Sequence, residues 1–126
     1  MGQALKMEQK TTLDGLLNRR VTLEQPAKGY RVAVDTVLLA ASVPALDGDR
    51  VLDLGCGVGG ALLCLACRVP KITGVGLEAQ KELVDIGARN IKRNPFASGF
   101  EIRRQDAASL PIDLKGVFDH VLMNPP

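Results

Sequence analysis

The sequence predicts an α/β fold in which a parallel β-sheet carries helices on both faces. Short apolar runs typical of buried strands alternate with helical runs through residues 50–123. The connections are short, as expected for parallel strands joined by crossover helices. Polar residues fall where the predicted strands end, at the edge of an open α/β sheet where ligands bind. Four such strands are visible, so we expect a sheet that is truncated after the fourth strand.

Composition limits the class of protein. The 126 residues, 46% hydrophobic and 24% charged, suffice for one globular domain. Aromatic residues make up only 3%, so we expect an aliphatic core. No apolar stretch approaches the roughly 20 residues of a membrane span, and the polar first ten residues do not resemble a signal peptide. We therefore expect no membrane association and a cytoplasmic location.

The three cysteines, Cys56, Cys64 and Cys67, do not indicate disulfides, because their number is odd. Cys64 and Cys67 form a C-x-x-C, but they lie in an apolar helical run and no second Cys/His pair could complete a zinc site. We expect buried thiols and no metal.

Residues 1–33 are predicted to form an N-terminal arm. It should contain a short helical turn over residues 12–17, which Thr12 could cap, and a strand over 21–25. From Val34 onward, a helix that ends at Pro44 is predicted by apolar residues at approximately helical spacing: Val34, Val37, Leu38, Ala41 and Leu46. Asp35 or Thr36 is placed to cap it.

The α/β region follows from residue 50. Its predicted elements are a strand over 50–54, a glycine loop over 55–60, a helix over 60–69, a strand over 72–77 ending at Glu78, an amphipathic helix over 80–93, a strand over 100–104 ending at Gln105-Asp106, and a strand over 117–123 ending at Asn124.

The glycine loop indicates a nucleoside ligand. Gly55, Gly57 and Gly60 satisfy G-x-G-x-x-G between a strand and a helix, which allows a ligand to approach the backbone closely. Glu78 follows 23 residues after Gly55, where a carboxylate can accept hydrogen bonds from ribose hydroxyls.

Asp53 distinguishes between possible nucleosides. A carboxylate two residues before Gly55 would repel the pyrophosphate of NAD, because phosphate sites use amide N–H groups and positive dipoles. S-adenosylmethionine carries no phosphate, and its ammonium and sulfonium groups favour a nearby carboxylate. The sequence thus favours S-adenosylmethionine over an NAD-dependent oxidoreductase.

Three segments resemble motifs of class I methyltransferases, whose fold is Rossmann-like. They are VLDLGCGVGG over 51–60, GVGLE over 74–78 and RRQDA over 103–107. The resemblance implies that Gly55, Gly57 and Gly59 line the methionine and ribose of the cofactor. It also implies that Glu78 holds the ribose, and that Asp106 with Ala107 holds the adenine. Residues 34–126 would then be the N-terminal half of a methyltransferase domain.

Asn124-Pro125-Pro126 resembles the N-P-P-[aromatic] motif of enzymes that methylate a planar nitrogen. Such a nitrogen delocalises its lone pair and is a poor nucleophile. The Asn124 side-chain oxygen and the Pro125 carbonyl could each accept one N–H and favour pyramidalisation towards the methyl group. Asn124 and Pro125 are therefore the candidate catalytic residues. No general base is required, because the amino proton can leave to solvent, and His120 is expected only to pack in its strand.

The lead-in over residues 25–43 resembles bacterial small-domain methyltransferases, particularly those that modify adenine N6 of valine tRNA. The resemblance implies that Asp35 and Thr36 contact the methionine end of the cofactor. Basic residues concentrate in 1–31 and 89–104, a pattern that either follows a tRNA phosphate backbone or is only a solvated surface.

We expect the N-terminal part of an adenine-N6 methyltransferase acting on tRNA. Glutamine N5-methylation of a protein uses the same motif and is the alternative; a third possibility is a cofactor-binding fragment without activity. The residues expected after Pro126, including the aromatic one, are not in the chain. We therefore expect this chain to be inactive alone and to self-associate through strand 117–123.

Overall fold

The computed structural model describes residues 10–29 and 31–124. The strands are β1 (Thr11–Leu16), β2 (Val21–Pro26), β3 (Arg50–Leu54), β4 (Thr73–Glu78), β5 (Phe100–Arg104) and β6 (His120–Met123). The α-helices are α1 (Val34–Ser42), α2 (Gly60–Arg68) and α3 (Lys81–Arg93), and short 3-10 turns cover Pro95–Ala97 and Ile112–Leu114.

A four-stranded parallel sheet in the order β5-β4-β3-β6 confirms the predicted Rossmann-like architecture. In its register, Asp53 of β3 lies opposite Gly76 of β4 and Leu122 of β6. All four strands therefore end at the same edge. β6 is shorter than predicted, because its pairing with β3 begins at His120 rather than at Val117.

The two faces of this sheet are covered differently. Side chains alternate along each strand, so Val51 faces a core to which α1, α2 and α3 all contribute. Leu52, Val75 and Leu77 face the other way and pack with Leu114 of the second 3-10 turn. In the described part of the chain, the α-helices thus cover one face and a short turn covers part of the other.

Residues 11–16 correct one prediction, since they form a strand and not a helical turn capped by Thr12. β1 pairs with β2 in antiparallel register from Thr11–Pro26 to Leu16–Val21. Gly15 and the β-branched threonines disfavour a helix, and β2 supplies a partner. The hairpin contributes Val21 and Leu23, both fully buried, to the helix-covered core. The division of the chain at residue 33 stays a prediction.

Helix α1 is present as predicted, but only part of the apolar series that predicted it faces the core, where Val37 is partly buried. Val34 and Leu38 are 73% and 62% exposed, whereas Thr36 and Ala40 are buried. α1 packs against α2, where Thr36 lies over Gly60. The predicted cap is also wrong, because the helix starts after Ala33 without a side-chain cap.

Within residues 10–29 and 31–124, no helix is long and apolar enough to cross a membrane.

Candidate functional site

The glycine loop runs from the end of β3 to the start of α2. Gly55, Gly57 and Gly59 have φ of 73°, 58° and 92°, a region that side chains with a Cβ rarely adopt, so the loop requires glycine at these positions. The N–H groups of Gly55 and Cys56 both donate to the Leu77 carbonyl, at 2.8 and 2.9 Å. The loop is thereby fastened to the end of β4.

Glu78, the last residue of β4, holds the same loop through its side chain. Its Oε1 accepts a hydrogen bond from the Gly57 N–H, and its Oε2 accepts one from the Gln80 N–H, both at 2.9 Å. The residue is 8% exposed. A carboxylate fixed on two backbone amides retains further lone pairs, which can accept hydrogen bonds from a ligand hydroxyl.

An open cavity of about 500 Å³ lies at the carboxyl edge of the sheet. Its size is within the range of small-molecule sites. Seven of the predicted site residues line it: Asp35, Thr36, Gly55, Gly57, Glu78, Ala107 and Asn124. They come from α1, the glycine loop, the end of β4, the segment after β5 and the end of β6, so five separated parts of the chain meet there.

Three other predicted site residues do not line this cavity. Asp53 is only 3% exposed within β3, Gly59 is buried at the start of α2, and Asp106 is exposed with its Oδ1 accepting the Ala108 N–H. Pro125 lies outside the described residues.

The buried position of Asp53 changes the argument about charge. Burial, together with the neighbouring Glu78 carboxylate, raises the pKa of Asp53 to about 7. Asp53 is thus buried outside the cavity lining, and its raised pKa makes it a weaker source of negative charge at neutral pH than an ordinary aspartate.

The acidic character of the cavity comes from Asp35 and Glu78 instead. Arg31 also lines it, but its guanidinium is engaged by the hairpin. Arg31 donates to the Thr12 hydroxyl and the Pro26 carbonyl, and its Nη2 lies 3.3 Å from Asp14 Oδ2. Two carboxylates and one internally paired guanidinium favour a cationic ligand over a pyrophosphate.

Sequence reasoning missed several lining residues: Arg31, Ala33, Leu54, Gln80, Leu83 and Met123. Leu54 and Met123 directly precede the glycine loop and Asn124, so their place at the sheet edge could have been read from the predicted strands. Leu83 gave no such signal, because its spacing only marks the buried face of α3.

Asn124 and Asp35 approach each other across the cavity. The Asn124 Nδ2 donates to Asp35 Oδ2 at 3.5 Å, a long hydrogen bond between residues 89 apart in sequence. A carboxylate can only accept, so this contact favours the orientation in which the amide nitrogen faces Asp35. The Asn124 amide oxygen is then directed away from Asp35.

The basic cluster over 89–104 is largely neutralised within the chain. Arg89 and Arg93 both bind Glu24 of β2, at 2.9 and 3.0 Å. Arg103 binds Glu101 and Asp113. These arginines stabilise the structure, which reduces the number of cations in this cluster that could contact a phosphate backbone.

The cysteines and His120, whose side chains could take part in catalysis in other proteins, do not line this cavity. Cys56 and Cys64 are buried, and burial raises the pKa of both thiols. His120 begins β6, where its Nε2 lies 2.9 Å from Asp49 Oδ2, at the end of the sheet opposite the glycine loop. Across residues 10–29 and 31–124, no group of His, Cys, Asp or Glu is placed to hold a metal ion.

A parallel sheet with a glycine loop and an acid at the end of the next strand defines a Rossmann-like protein with a nucleoside site. The family model described as "Methyltransferase small domain" matches residues 29–126. The chain therefore belongs to this family of S-adenosylmethionine-dependent methyltransferases.

Individual proteins agree with this membership. A tRNA1(Val) (adenine(37)-N6)-methyltransferase of Yersinia pestis (strain Pestoides F) is 30% identical over an alignment of 127 positions, which covers 100% of this chain and 51% of that protein. The chain thus spans about half the length of the curated relatives it matches.

Two solved structures share the fold. TYW2 of P. horikoshii in complex with MeSAdo superposes with a TM-score of 0.76 at 17% identity, over 93% of this chain and 43% of that one. A SAM-dependent methyltransferase from Thiobacillus denitrificans in complex with S-adenosylhomocysteine gives 0.60 at 26% identity, over 72% and 36%.

The cavity fits S-adenosylmethionine on its own chemistry. Glu78 could accept hydrogen bonds from the ribose, and Asp35 could provide a counter-charge for an ammonium or sulfonium group. The apolar lining residues are Leu54, Leu83 and Met123. The loop backbone is open to close approach at Gly55, since a Cβ there would meet nothing within 4 Å.

Proposed function

We propose that this site serves the N6-methylation of adenine in tRNA, with S-adenosylmethionine as the methyl donor. One observation carries the proposal: Asn124 lines the same cavity as Gly55, Gly57 and Glu78. The residue expected to hold the acceptor nitrogen thus shares a cavity with those expected to hold the cofactor. The names of the curated relatives support the choice of acceptor.

Asn124 would bind the acceptor amine through its side-chain oxygen. S-adenosylmethionine supplies an electrophilic methyl group when bound. Because the Asn124 nitrogen faces Asp35, its oxygen is the end that remains to accept an N–H of the acceptor. Asp35 thereby has a second proposed role besides contact with the methionine end of the cofactor, namely fixing the orientation of this amide.

A planar amine held in this way needs no base from the protein. Holding one N–H in place favours pyramidalisation at nitrogen and directs its lone pair towards the methyl group. The proton lost on transfer can leave to solvent from an open cavity. This is consistent with the positions of His120 and the cysteines away from the cavity lining.

For tRNA contact, the basic residues in and next to the hairpin are better candidates than those arginines of the cluster over 89–104 that form ion pairs within the chain. Arg19 and Arg20 lie at the exposed β1–β2 turn, and Lys28 is exposed after β2. Cations on an exposed surface bind phosphates with a strong dependence on salt. Replacing Arg19 and Arg20 with Gln should weaken tRNA binding and reduce its salt dependence, measured by filter binding over a salt series.

Calorimetry tests the cofactor assignment. We expect S-adenosylhomocysteine to bind the chain and NAD not to bind. Preference for NAD would contradict the assignment.

The acceptor is tested with the natural gene product that contains these residues, assayed on unmodified tRNA and on a glutamine-containing peptide. Asn124→Ala should lower turnover on tRNA by ~10²–10³ and leave affinity for S-adenosylhomocysteine nearly unchanged, since one preorganised contact at the reacting nitrogen is lost. Turnover on the peptide alone would overturn the tRNA proposal, and wild-type turnover of the variant would overturn the role of Asn124.

A further inference from the structure

Asn90 of α3 and Asn94, the residue directly after α3, occupy the open edge of strand β2. Asn90 Oδ1 accepts the Glu24 N–H at 2.7 Å, and its Nδ2 donates to the Glu24 carbonyl at 2.8 Å. Asn94 makes the same pair of bonds with Thr22, at 3.0 and 2.8 Å. The two asparagines are 0% and 3% exposed.

The spacing of the two elements explains this arrangement. Residues four apart on a helix are separated by about 6 Å along its axis, and residues two apart on a strand by about 6.7 Å. Each side-chain amide therefore reaches successive outward N–H and C=O groups of β2 and replaces the partner that a neighbouring strand would provide. A two-stranded hairpin alone is marginally stable, so this docking holds it to the domain.

Only Asn90 extends this contact to the glycine loop. Its Nδ2 also donates to the Val58 carbonyl at 2.9 Å. Val58 is fully buried between Gly57 and Gly59. One turn earlier on α3, a Cβ at Gly87 would lie 3.5 Å from the same carbonyl, so the helix packs directly on the loop backbone. The third bond of Asn94 instead goes to the Asn90 carbonyl in the last turn of α3, at 2.8 Å.

We infer that Asn90 is a positioning residue of the cofactor site. Asn90 holds the Val58 carbonyl and so fixes the loop that the cofactor approaches. This role rests on the assignment of S-adenosylmethionine as the cofactor. Glu78 fixes the same loop from β4 through the Gly57 N–H. The hairpin is thereby coupled to cofactor affinity through one buried amide.

Asn94 provides a matched control, because it supports the hairpin equally but does not touch the loop. Asn90→Ala and Asn94→Ala should both lower the melting temperature. Asn90→Ala should also weaken S-adenosylhomocysteine binding about tenfold, the effect of losing one well-placed hydrogen bond. Asn94→Ala should leave that affinity within about twofold of wild type, measured by calorimetry well below both melting temperatures.

Hydrogen exchange without ligand separates positioning from general stability. Asn90→Ala should speed exchange at the amides of residues 55–59 as well as in the hairpin, and Asn94→Ala in the hairpin alone. If Asn90→Ala does not fold, Asn90→Ser keeps a small polar group there and takes its place. Equal effects of the two positions on affinity and exchange, or unchanged loop exchange in the Asn90 variant, would overturn the inference. If the wild type does not bind S-adenosylhomocysteine, the cofactor assignment fails separately, and the exchange comparison still decides the role of Asn90.

Discussion

Glu78 and Gly57 are joined by a hydrogen bond of 2.9 Å between the carboxylate Oε1 and the loop N–H. The bond connects the end of β4 to the loop that follows β3. The carboxylate that we propose holds the ribose therefore also fixes the backbone of the glycine loop. In the proposed site, cofactor binding and the position of the loop would then depend on the same side chain.

Replacing Glu78 should weaken cofactor binding, because the variant loses both the proposed ribose contact and part of the support of the glycine loop. In the wild type, one carboxylate oxygen of Glu78 accepts the Gly57 N–H and the other accepts the Gln80 N–H. In Glu78→Gln, a single amide oxygen remains to accept both. Hydrogen bonds to a charged group are worth ~1.5–3 kcal/mol, so we expect affinity for S-adenosylhomocysteine to fall about 10–100-fold in calorimetry. Glu82→Gln, an exposed change on the first turn of α3, is the control. Equal affinities of the two variants would show that Glu78 does not serve the ligand.

Asp53 should make the protein less stable as the pH rises. Its pKa is about 7 in the folded state, against 3.8 normally, because of burial and the neighbouring Glu78. Between about pH 4 and 7 the unfolded chain releases this proton while the folded chain retains it. The free energy of unfolding therefore decreases over that range, by up to ~4 kcal/mol for a shift of this size.

Asp53→Asn should remove that dependence. Urea unfolding at pH 4.5 and pH 8 should show that the variant gains stability relative to wild type mainly at pH 8. Asp47→Asn, at an exposed position, should change neither value. A variant with the same loss of stability between the two pH values as wild type would assign the effect to another group.

Much of the fold could be predicted from the sequence, because its signals are local. The glycine loop, Glu78 and the periodicity of α3 each depend on a few neighbouring residues. The face of α1 could not be predicted in this way. Val34 and Leu38 have helical spacing but are exposed, because the packing of α1 on α2 at Gly60 selects the side with Thr36 and Ala40.

Only part of the site could be predicted from the sequence, because the positions of the other site residues also depend on tertiary packing. Sequence distance from the loop suggested that Asp53 belongs to its rim, but a strand alternates its side chains and Asp53 is 3% exposed in the structure. The acid that does line the cavity, Asp35, comes from α1. Likewise, charge counts cannot reveal that Arg89 and Arg93 are committed to Glu24, since that contact depends on docking of the hairpin.

Glu24 should stabilise the docked hairpin at neutral pH and lose this effect in acid. Hydrogen bonding to Arg89 lowers the pKa of Glu24 from 4.5 to about 2. Its contribution is therefore complete above about pH 4.5 and is lost as the pH falls towards 2. Glu24→Gln should lower the free energy of unfolding at pH 7 by ~1–3 kcal/mol, since it breaks charged hydrogen bonds of a buried side chain.

Circular dichroism during urea unfolding at pH 7 and pH 2.5 measures this difference. The gap between Glu24→Gln and wild type should narrow at the lower pH. Glu101→Gln tests a more exposed pair, Glu101 with Arg103, and should cost less than 1 kcal/mol. A gap that stays constant with pH would show that the ion pair with α3 is not the source of the stability.

Strand β6 should cause the 126-residue chain to self-associate at high concentration. β6 pairs with β3 along one edge, and no strand in the described part of the chain pairs with its other edge. Val121 and Met123 are 59% and 55% exposed on the sheet face away from the helices. An unpaired strand edge with exposed apolar side chains is a template for pairing with another chain.

Analytical ultracentrifugation over a concentration series should show dimers or larger species. Val121→Lys should suppress them, because a charge on an edge strand opposes pairing. Val34→Lys, at a similarly exposed apolar position on α1, should not. A chain that stays monomeric throughout, or equal suppression by both variants, would mean that β6 is not a site of association.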